Sequence, residues 1–537
     1  MKRAAPELRI TDAAGFEPAR HTSGLSELFM PLEHLLVRGG DPRLTLDRAC
    51  GLNDYGCGPA PAPETLCLSS STASPISERA YQRAGLAREE LIRSALALGL
   101  EEAFDARIEA MRDELRGHLG LSGDEADVVF SPSGTDSQLH ALALAQGALG
   151  PRRTSIVVGA DQTGSGTAFT ARGRHFSAKT AGGRAVVRDT PIAGLAADSV
   201  MPPLLATGPE IRPNPDIDAA VLAAVETAIA SGSGVLLQIM DSSKLGWHAP
   251  GEACLEEIAR RWPDKVQVMV DACQMRLGRR RLRTHLERGH MVLITGSKFF
   301  GGPAFSGALL VPARLSRRLD PGRRIAAGLA DYAGRSDWPK AWSALRAQFE
   351  SRPNFGQWLR WEAALSEIAA YHQVPQSFRA LALRELGRAI EGLIALSPSL
   401  SPVARGPAPN DDEEFAEATI FPFLVWRDGV PLSAEDCRLL YRALRLDLGE
   451  TVAGDMADRE IISRRCLLGQ PVRIDNGGGR PTAALRLCLG ARVVTESWSS
   501  IPGIARQNLE REIDRIAIAI AKIELLAARS DRLESSE

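Results

Sequence analysis

Lysine is scarce in this chain. It occurs only at positions 2, 179, 244, 265, 298, 340 and 522, so 57 of the 64 basic residues are arginine. A lysine at the end of a buried strand is therefore conspicuous. Cysteine is sparse too, with eight residues at positions 50, 57, 67, 254, 273, 437, 466 and 488 and no C-x-x-C pair. No His or Cys cluster completes a metal site around them, and a disulfide framework is not expected in a chain of this size. Long hydrophobic runs are missing, since none approaches the ~20 residues that a membrane helix needs. The N-terminal stretch MKRAAPELRITDAAGFEPAR lacks the apolar core of a secretory leader, which makes the cytoplasm the expected location. A net charge of −2 supplies no basic field, so neither nucleic acid nor an anionic membrane is an expected partner.

What is present reads as a globular protein of two or three domains: 537 residues, 44% hydrophobic and 24% charged. Residues 1–75 are rich in Pro, Gly and Ser without sustained periodicity. They read either as a surface-wrapping arm or as a segment that closes over an active site. From Ser77 to Leu121 apolar residues recur at helical spacing. Val128–Phe130 then reads as a buried strand that runs into Ser131-Pro132-Ser133-Gly134-Thr135-Asp136 and a helix. Such a strand, small-residue loop and helix start form a phosphate cradle, because helix N-terminal N–H groups are unpaired and the dipole favours an anion. An ordinary N-cap by Ser133 or Thr135 explains the same residues. Further strands (Ser155–Val158, Val235–Ile239, Val266–Val270) alternate with helices (Ile217–Ala230, Cys254–Trp262), which implies right-handed crossovers and a largely parallel sheet.

The stretch Val268–Pro312 organises the rest. One apolar run ends in Asp271, a second (Met291–Ile294) ends in Thr295-Gly296-Ser297-Lys298, and a third follows from Ala308 to Val311. A carboxylate and a lysine are thus delivered at the ends of consecutive strands, where open α/β sheets place their ligand sites. Pyridoxal phosphate (PLP) chemistry uses this pair, a lysine for the Schiff base and a carboxylate for the pyridinium nitrogen.

With these pieces in order, the chain resembles the fold-type I PLP enzymes, and among them the class V aminotransferase group that includes the cysteine desulfurases. The loop S-P-S-G-T-D resembles that group's T-S-G-A-T-E loop. V-D-A-C-Q resembles V-D-A-A-Q, T-G-S-K-F-F-G-G-P resembles S-G-H-K-x-x-G-P, and Leu485-Arg486-Leu487-Cys488-Leu489-Gly490 resembles the late arginine strand. The resemblance covers roughly residues 80–310 and, more weakly, the C-terminal part. It implies that Lys298 forms the Schiff base and moves protons at Cα, with Asp271 keeping the ring nitrogen protonated. Gln274 would bond the phenolic oxygen, Ser243 stands where the group has an asparagine near that oxygen, and Ser133, Gly134, Thr135 and Thr295 would hold the phosphate. Arg486 would clamp a substrate α-carboxylate in a bidentate fork, with a structural salt bridge as the competing reading.

Two departures stand out. Ser297 replaces the histidine found beside the lysine in many relatives, and Gln162 and Thr163 stand where relatives stack a histidine or aromatic ring on the cofactor. The missing histidine counts against desulfurase activity. Cys466, 20 positions before Arg486, is the remaining candidate for a persulfide cysteine, with an inert buried cysteine as its competitor. Beyond residue 313 the chain is rich in Trp and Arg (Trp338, Trp342, Trp358, Trp361, Arg352, Arg360), which reads as either a dimer interface or a helix pair packed on the core. A helix from Pro375 to Leu396, a Pro/Asp-rich linker from Ser397 to Glu414 and a small α+β region follow.

The expectation is therefore an α/β protein, a mainly parallel sheet with helices on both faces plus a small C-terminal α+β domain. Its segments would be an arm (1–75), a large PLP-binding domain (76–375) and a small domain (376–537). The expected activity is that of a homodimeric PLP enzyme acting on an amino acid by transamination or Cα/Cβ lyase chemistry. The alternatives are a desulfurase or selenocysteine lyase using Cys466, and a non-catalytic scaffold. Retention of both Lys298 and Asp271 argues against the scaffold.

Overall fold

In a computed structural model, the chain is described for residues 24–204, 212–318, 324–406, 415–451, 454–474 and 479–529. Residues 1–23 of the expected arm and 407–414 of the expected linker lie outside these. The helical pattern expected over 77–121 is two helices, Glu78–Leu98 and Leu100–Leu119, capped at the start by Ser77. Gly99 separates them at φ +87°, ψ 150°, a conformation essentially confined to glycine.

A short strand β1 (Leu66–Leu68) precedes these helices. The strands that follow are β2 (Ala126–Ser131), β3 (Arg153–Val157), β4 (Asp198–Val200), β5 (Gly234–Met240), β6 (Val266–Asp271), β7 (Met291–Thr295) and β8 (Gly307–Pro312). These seven form one sheet in the order β2-β8-β7-β6-β5-β3-β4. Only β8 runs against the others. Side chains alternate between its two faces as the strand period of two requires. Val128, Phe130, Val292, Ile294 and Leu310 join the core that contains the Glu78–Leu98 and Phe355–Gln373 helices, whereas Val129, Leu293, Leu309 and Val311 pack with the Gly134–Leu149 helix. Helices therefore cover both faces of a mainly parallel sheet, the architecture the alternating pattern predicts.

The second sheet uses β9 (Leu400–Pro402), β10 (Ile420–Arg427), β11 (Val430–Pro431), β12 (Cys466–Ile474) and β13 (Thr482–Cys488) in the order β1-β12-β13-β10-β11, with β9 on β10. Three of these elements escape the sequence pattern for physical reasons. β1 and β4 are three residues long and take their partners from distant segments, β1 pairing in parallel with Cys466–Leu468. β12 carries Gly469 and Pro471 in its interior, residues that argue against a strand, and its register breaks between Gly469 and Val472 to accommodate them.

The Trp- and Arg-rich region is packed into the chain itself. Trp338, Trp358 and Trp361 are fully buried. Trp361 donates to the Gly307 carbonyl at 3.0 Å, and Arg360 donates to the carbonyls of Phe305 and Leu36 at 2.8 and 2.9 Å. Of the two readings of this region, core packing is the one these residues follow. Among the described residues no helix is long and apolar enough to cross a membrane.

Candidate active site

The carboxyl ends of β2, β5, β6 and β7 open onto one edge of the seven-stranded sheet, where strand register brings the chemistry-bearing loops together. Ser131 and Thr295 both pair with Gly307, so the ends of β2 and β7 flank the start of β8. Asp271 lies opposite Met240 on one side and Leu293 on the other. Above this edge is a cleft of about 190 Å³ lined by Ser133, Gly134, Thr135, Gln162, Asp271, Gln274, Thr295, Ser297, Lys298 and Arg486. Of the sequence-derived candidates, Ser243 and Cys466 are missing from its lining.

Close packing fixes the helix N-terminus against the Asp271 turn. Ser133 caps the Gly134–Leu149 helix, its hydroxyl accepting from the Asp136 N–H at 3.2 Å and donating to the Asp136 carboxylate. It is thus the N-cap, and the other first-turn N–H groups, which have no intrahelical partner, remain for a ligand. A Cβ on Gly134 would lie 2.6 Å from Cys273 Sγ, so only glycine lets the two segments approach this closely. Asp136 itself is buried and its carboxyl is pushed up to about 7, by burial first and then by the Asp41 carboxylate.

Asp271 accepts the Cys273 N–H at 3.1 Å through Oδ1, which orients the carboxylate at the end of β6. It is not a helix cap, since the next helix begins at Arg279 with Gly278 as its N-cap. Thr295 Oγ donates to the Cys273 carbonyl at 2.7 Å, and Gln274 donates to the Ser71 carbonyl at 3.0 Å while accepting from Arg276 at 2.9 Å. Lys298 is half-buried, and its ammonium makes no hydrogen bond or ion pair among the described residues. Gln162 is buried with neither amide atom partnered among the described residues. A buried amide without protein partners is costly, and this one faces the cleft, where a polar group can satisfy it.

Arg486 is buried on β13, in the space that Gly469 leaves on β12. Its guanidinium donates to the Gln470 carbonyl from Nε (3.2 Å) and Nη2 (2.6 Å), to Thr72 Oγ from Nη2 (3.2 Å) and to the Lys244 carbonyl from Nη1 (3.0 Å). Four of the five N–H groups of an arginine are thereby engaged. The bidentate fork expected for a carboxylate is therefore not preformed, and one Nη1–H is left. The expected alternative, a salt bridge, is absent among the described residues, so this is a buried cation facing neutral oxygens only. Burial accordingly pushes its pKa down.

Ser243 does not reach the cleft. Its hydroxyl accepts the N–H groups of Leu245 and Trp247, both at 3.0 Å, and holds the sharp turn after β5, so that Ser242 and Lys244 line the cleft instead. Cys466 is fully buried at the start of β12 and its thiol is pushed up to about 11 by burial. Away from the cleft and held as a thiol, it lacks the thiolate a sulfur nucleophile needs.

Sequence reasoning passed over Lys244, Arg43, Tyr55, Ser71 and Thr72, all of which line the cleft. Lys244 had a usable signal, being one of the few lysines and standing at a strand end. Burial, followed by the charges of Arg486 and Lys298, lowers its pKa to about 8. Arg43 and Tyr55 come from a segment without periodicity. Arg43 pairs with Asp41 at 2.5 Å, which neutralises it.

No family model and no curated protein matches the chain. Solved structures do. A NifS-like protein from Rickettsia africae ESF-5 superposes with TM-score 0.47 at 11% identity, over 86% of this chain and 99% of that one. Another NifS-like protein gives 0.46 at 13% identity, over 84% and 98%. SPT carrying a PLP internal aldimine gives 0.44 at 12%, over 85% and 88%. At these scores the fold assignment stands on the chain's own strand order and register.

Proposed function

We propose that this chain is a PLP-dependent enzyme that acts on an amino acid, of the class V aminotransferase kind, through transamination or Cα/Cβ lyase chemistry. The observation that carries the reading is one cleft in which an unpaired Lys298 meets Asp271, its only lining carboxylate among the described residues, beneath a helix N-terminus. The residues fit the cofactor. Gln162 has two unpartnered amide atoms for a polar ligand, and the Gly134 cradle with Thr135 and Ser297 offers N–H and hydroxyl donors to a phosphate.

Bound there, PLP supplies an electron sink for a bond broken at the substrate's α carbon. Asp271, with one oxygen fixed by the Cys273 N–H, would be the carboxylate that keeps the ring nitrogen protonated. Lys298, without a side-chain partner among the described residues, would hold the cofactor and would be the group to take or return the proton at the substrate's Cα. Arg486 attracts the substrate's carboxylate with its uncompensated charge. Cys466 contributes nothing at this cleft, so the persulfide route has no support in the structure. The resemblance also carries the expectation of a homodimer, which sedimentation checks.

The test is borohydride reduction of the purified chain with PLP, followed by peptide mapping. Covalent cofactor on Lys298, abolished by Lys298→Ala, is the expected result. Failure to take up PLP, or labelling confined to Lys244, the other lysine of the cleft, overturns the reading.

A further inference from the structure

The cleft carries more positive charge than one substrate carboxylate neutralises. Its lining cations are Arg43, Lys244, Lys298 and Arg486, and its lining carboxylate among the described residues is Asp271 alone. Arg43 is neutralised by Asp41 and Lys298 is assigned to the cofactor. Lys244 and Arg486 remain, and they are held beside each other: the Lys244 carbonyl accepts from Arg486 Nη1 at 3.0 Å, and the Lys244 N–H donates to the Gln162 carbonyl at 3.3 Å. The Lys244 ammonium makes no hydrogen bond or ion pair among the described residues.

The carboxylates of Asp161 and Asp271 act on Lys244 only from a distance, and a buried or half-buried cation with no carboxylate bonded to it is unfavourable. The phosphate cradle does not meet this demand, because it is built at the Gly134–Leu149 helix, whereas Lys244 follows β5 and contacts the arginine of β13. Arg486, with one N–H left, is poorly equipped to hold two carboxylates. An ammonium presents three donors in a compact point charge, suited to an anion on a flexible side chain. Resting on the proposed amino-acid chemistry, we infer that the substrate is a dicarboxylic amino acid, its α-carboxylate attracted by Arg486 and its side-chain carboxylate held by Lys244. The lowered pKa of Lys244 agrees with a cation awaiting its counter-charge, since a bound carboxylate would restore it.

The experiment measures binding of aspartate, glutamate, asparagine and glutamine to the PLP-loaded chain by calorimetry. Succinate and its monoamide are titrated in parallel into the chain with and without cofactor. The acids are expected to bind at least about tenfold more tightly than the corresponding amides, the scale of one hydrogen bond to a charged group. Lys244→Met should erase that difference by weakening the acids alone, and Lys244→Arg should restore most of it, with tryptophan fluorescence confirming that both variants fold. Equal binding of acids and amides by the wild-type chain overturns the inference. So does equal weakening of both by Lys244→Met, the result if Lys244 and Arg486 share one carboxylate. Failure of the cofactor reading is seen separately, as no borohydride-fixed PLP, and leaves the succinate comparison able to decide the charge-pair assignment.

Discussion

Replacing Gly134 by alanine probes the contact on which the cleft's floor depends. The new Cβ would stand 2.6 Å from Cys273 Sγ, against 3.4 Å from Leu293 Cδ2 and Thr295 Cγ2, so the sulfur alone obstructs it. Cys273 cannot yield freely, because its N–H is held by Asp271 and its carbonyl by Thr295 Oγ. Overpacking of this kind costs about 1–3 kcal/mol. Alanine's helix preference returns up to about 1 kcal/mol at a helical position, so the net loss expected is about 0–2 kcal/mol. Cys273→Ala alone should cost about 1 kcal/mol, as deletion of a buried methyl-sized group does. In the double variant the methyl group added at position 134 occupies the space the sulfur leaves. Its stability should return close to wild type, with a favourable coupling of about 1–3 kcal/mol. Denaturant unfolding followed through the buried Trp338, Trp358 and Trp361 measures all four corners of the cycle. The displaced sulfur also drags the Asp271 turn, so Gly134→Ala should weaken PLP binding and Cys273→Ala should rescue it. Additive effects in both measurements would refute the contact.

Asp136 gives a pH signature. Its carboxyl titrates near 7 in the folded chain, against an ordinary aspartate near ~3.9 when unfolded, so the folded state binds the extra proton between those values. The stabilisation from that proton is complete below about pH 4 and is lost as pH rises through about 7. Asp136→Asn should remove this slope, gaining on wild type by of order 3 kcal/mol between pH 5 and 8 in denaturant titrations, and parallel slopes would refute it. Gly99→Ala meets open space but a backbone angle alanine resists, so unfolding should be easier by about 1–3 kcal/mol with cleft binding unchanged. Cys466→Ser should leave any sulfur release from cysteine unchanged, and its loss would reinstate the persulfide mechanism.

The parts of this molecule that sequence reveals are those in which a single segment carries its own period. β2, β5, β6, β7 and β8 are apolar runs with buried faces, and the turns at their ends carry Ser133, Asp271 and Lys298. Where a residue's role depends on a partner distant in sequence, the pattern is silent. β1 exists because β12 exists, and β12 hides behind Gly469 and Pro471. Ser243 and Lys244 show the same limit at the finest scale. A turn held by two N–H groups on the serine hydroxyl decides which of two adjacent residues faces the cleft. For Arg486 the alternation of Leu485 and Leu487 placed it on a face, but the carbonyls that occupy its N–H groups come from Gln470 and Lys244.

The pairing of β1 with β12 also ties a segment near the start of the described chain to its C-terminal part. Every strand of the larger sheet precedes β9, so Asp271 and Lys298 belong to a sheet that is complete in the sequence at β8. Ser71 and Thr72, just after β1, are held from the later sheet, since Gln470, whose N–H bonds Thr72 Oγ at 3.0 Å, belongs to β12. The cleft wall made by Thr72, Gln470 and Arg486 therefore joins segments 398 and 414 positions apart, whereas Asp271 and Lys298 come from neighbouring strands of the larger sheet.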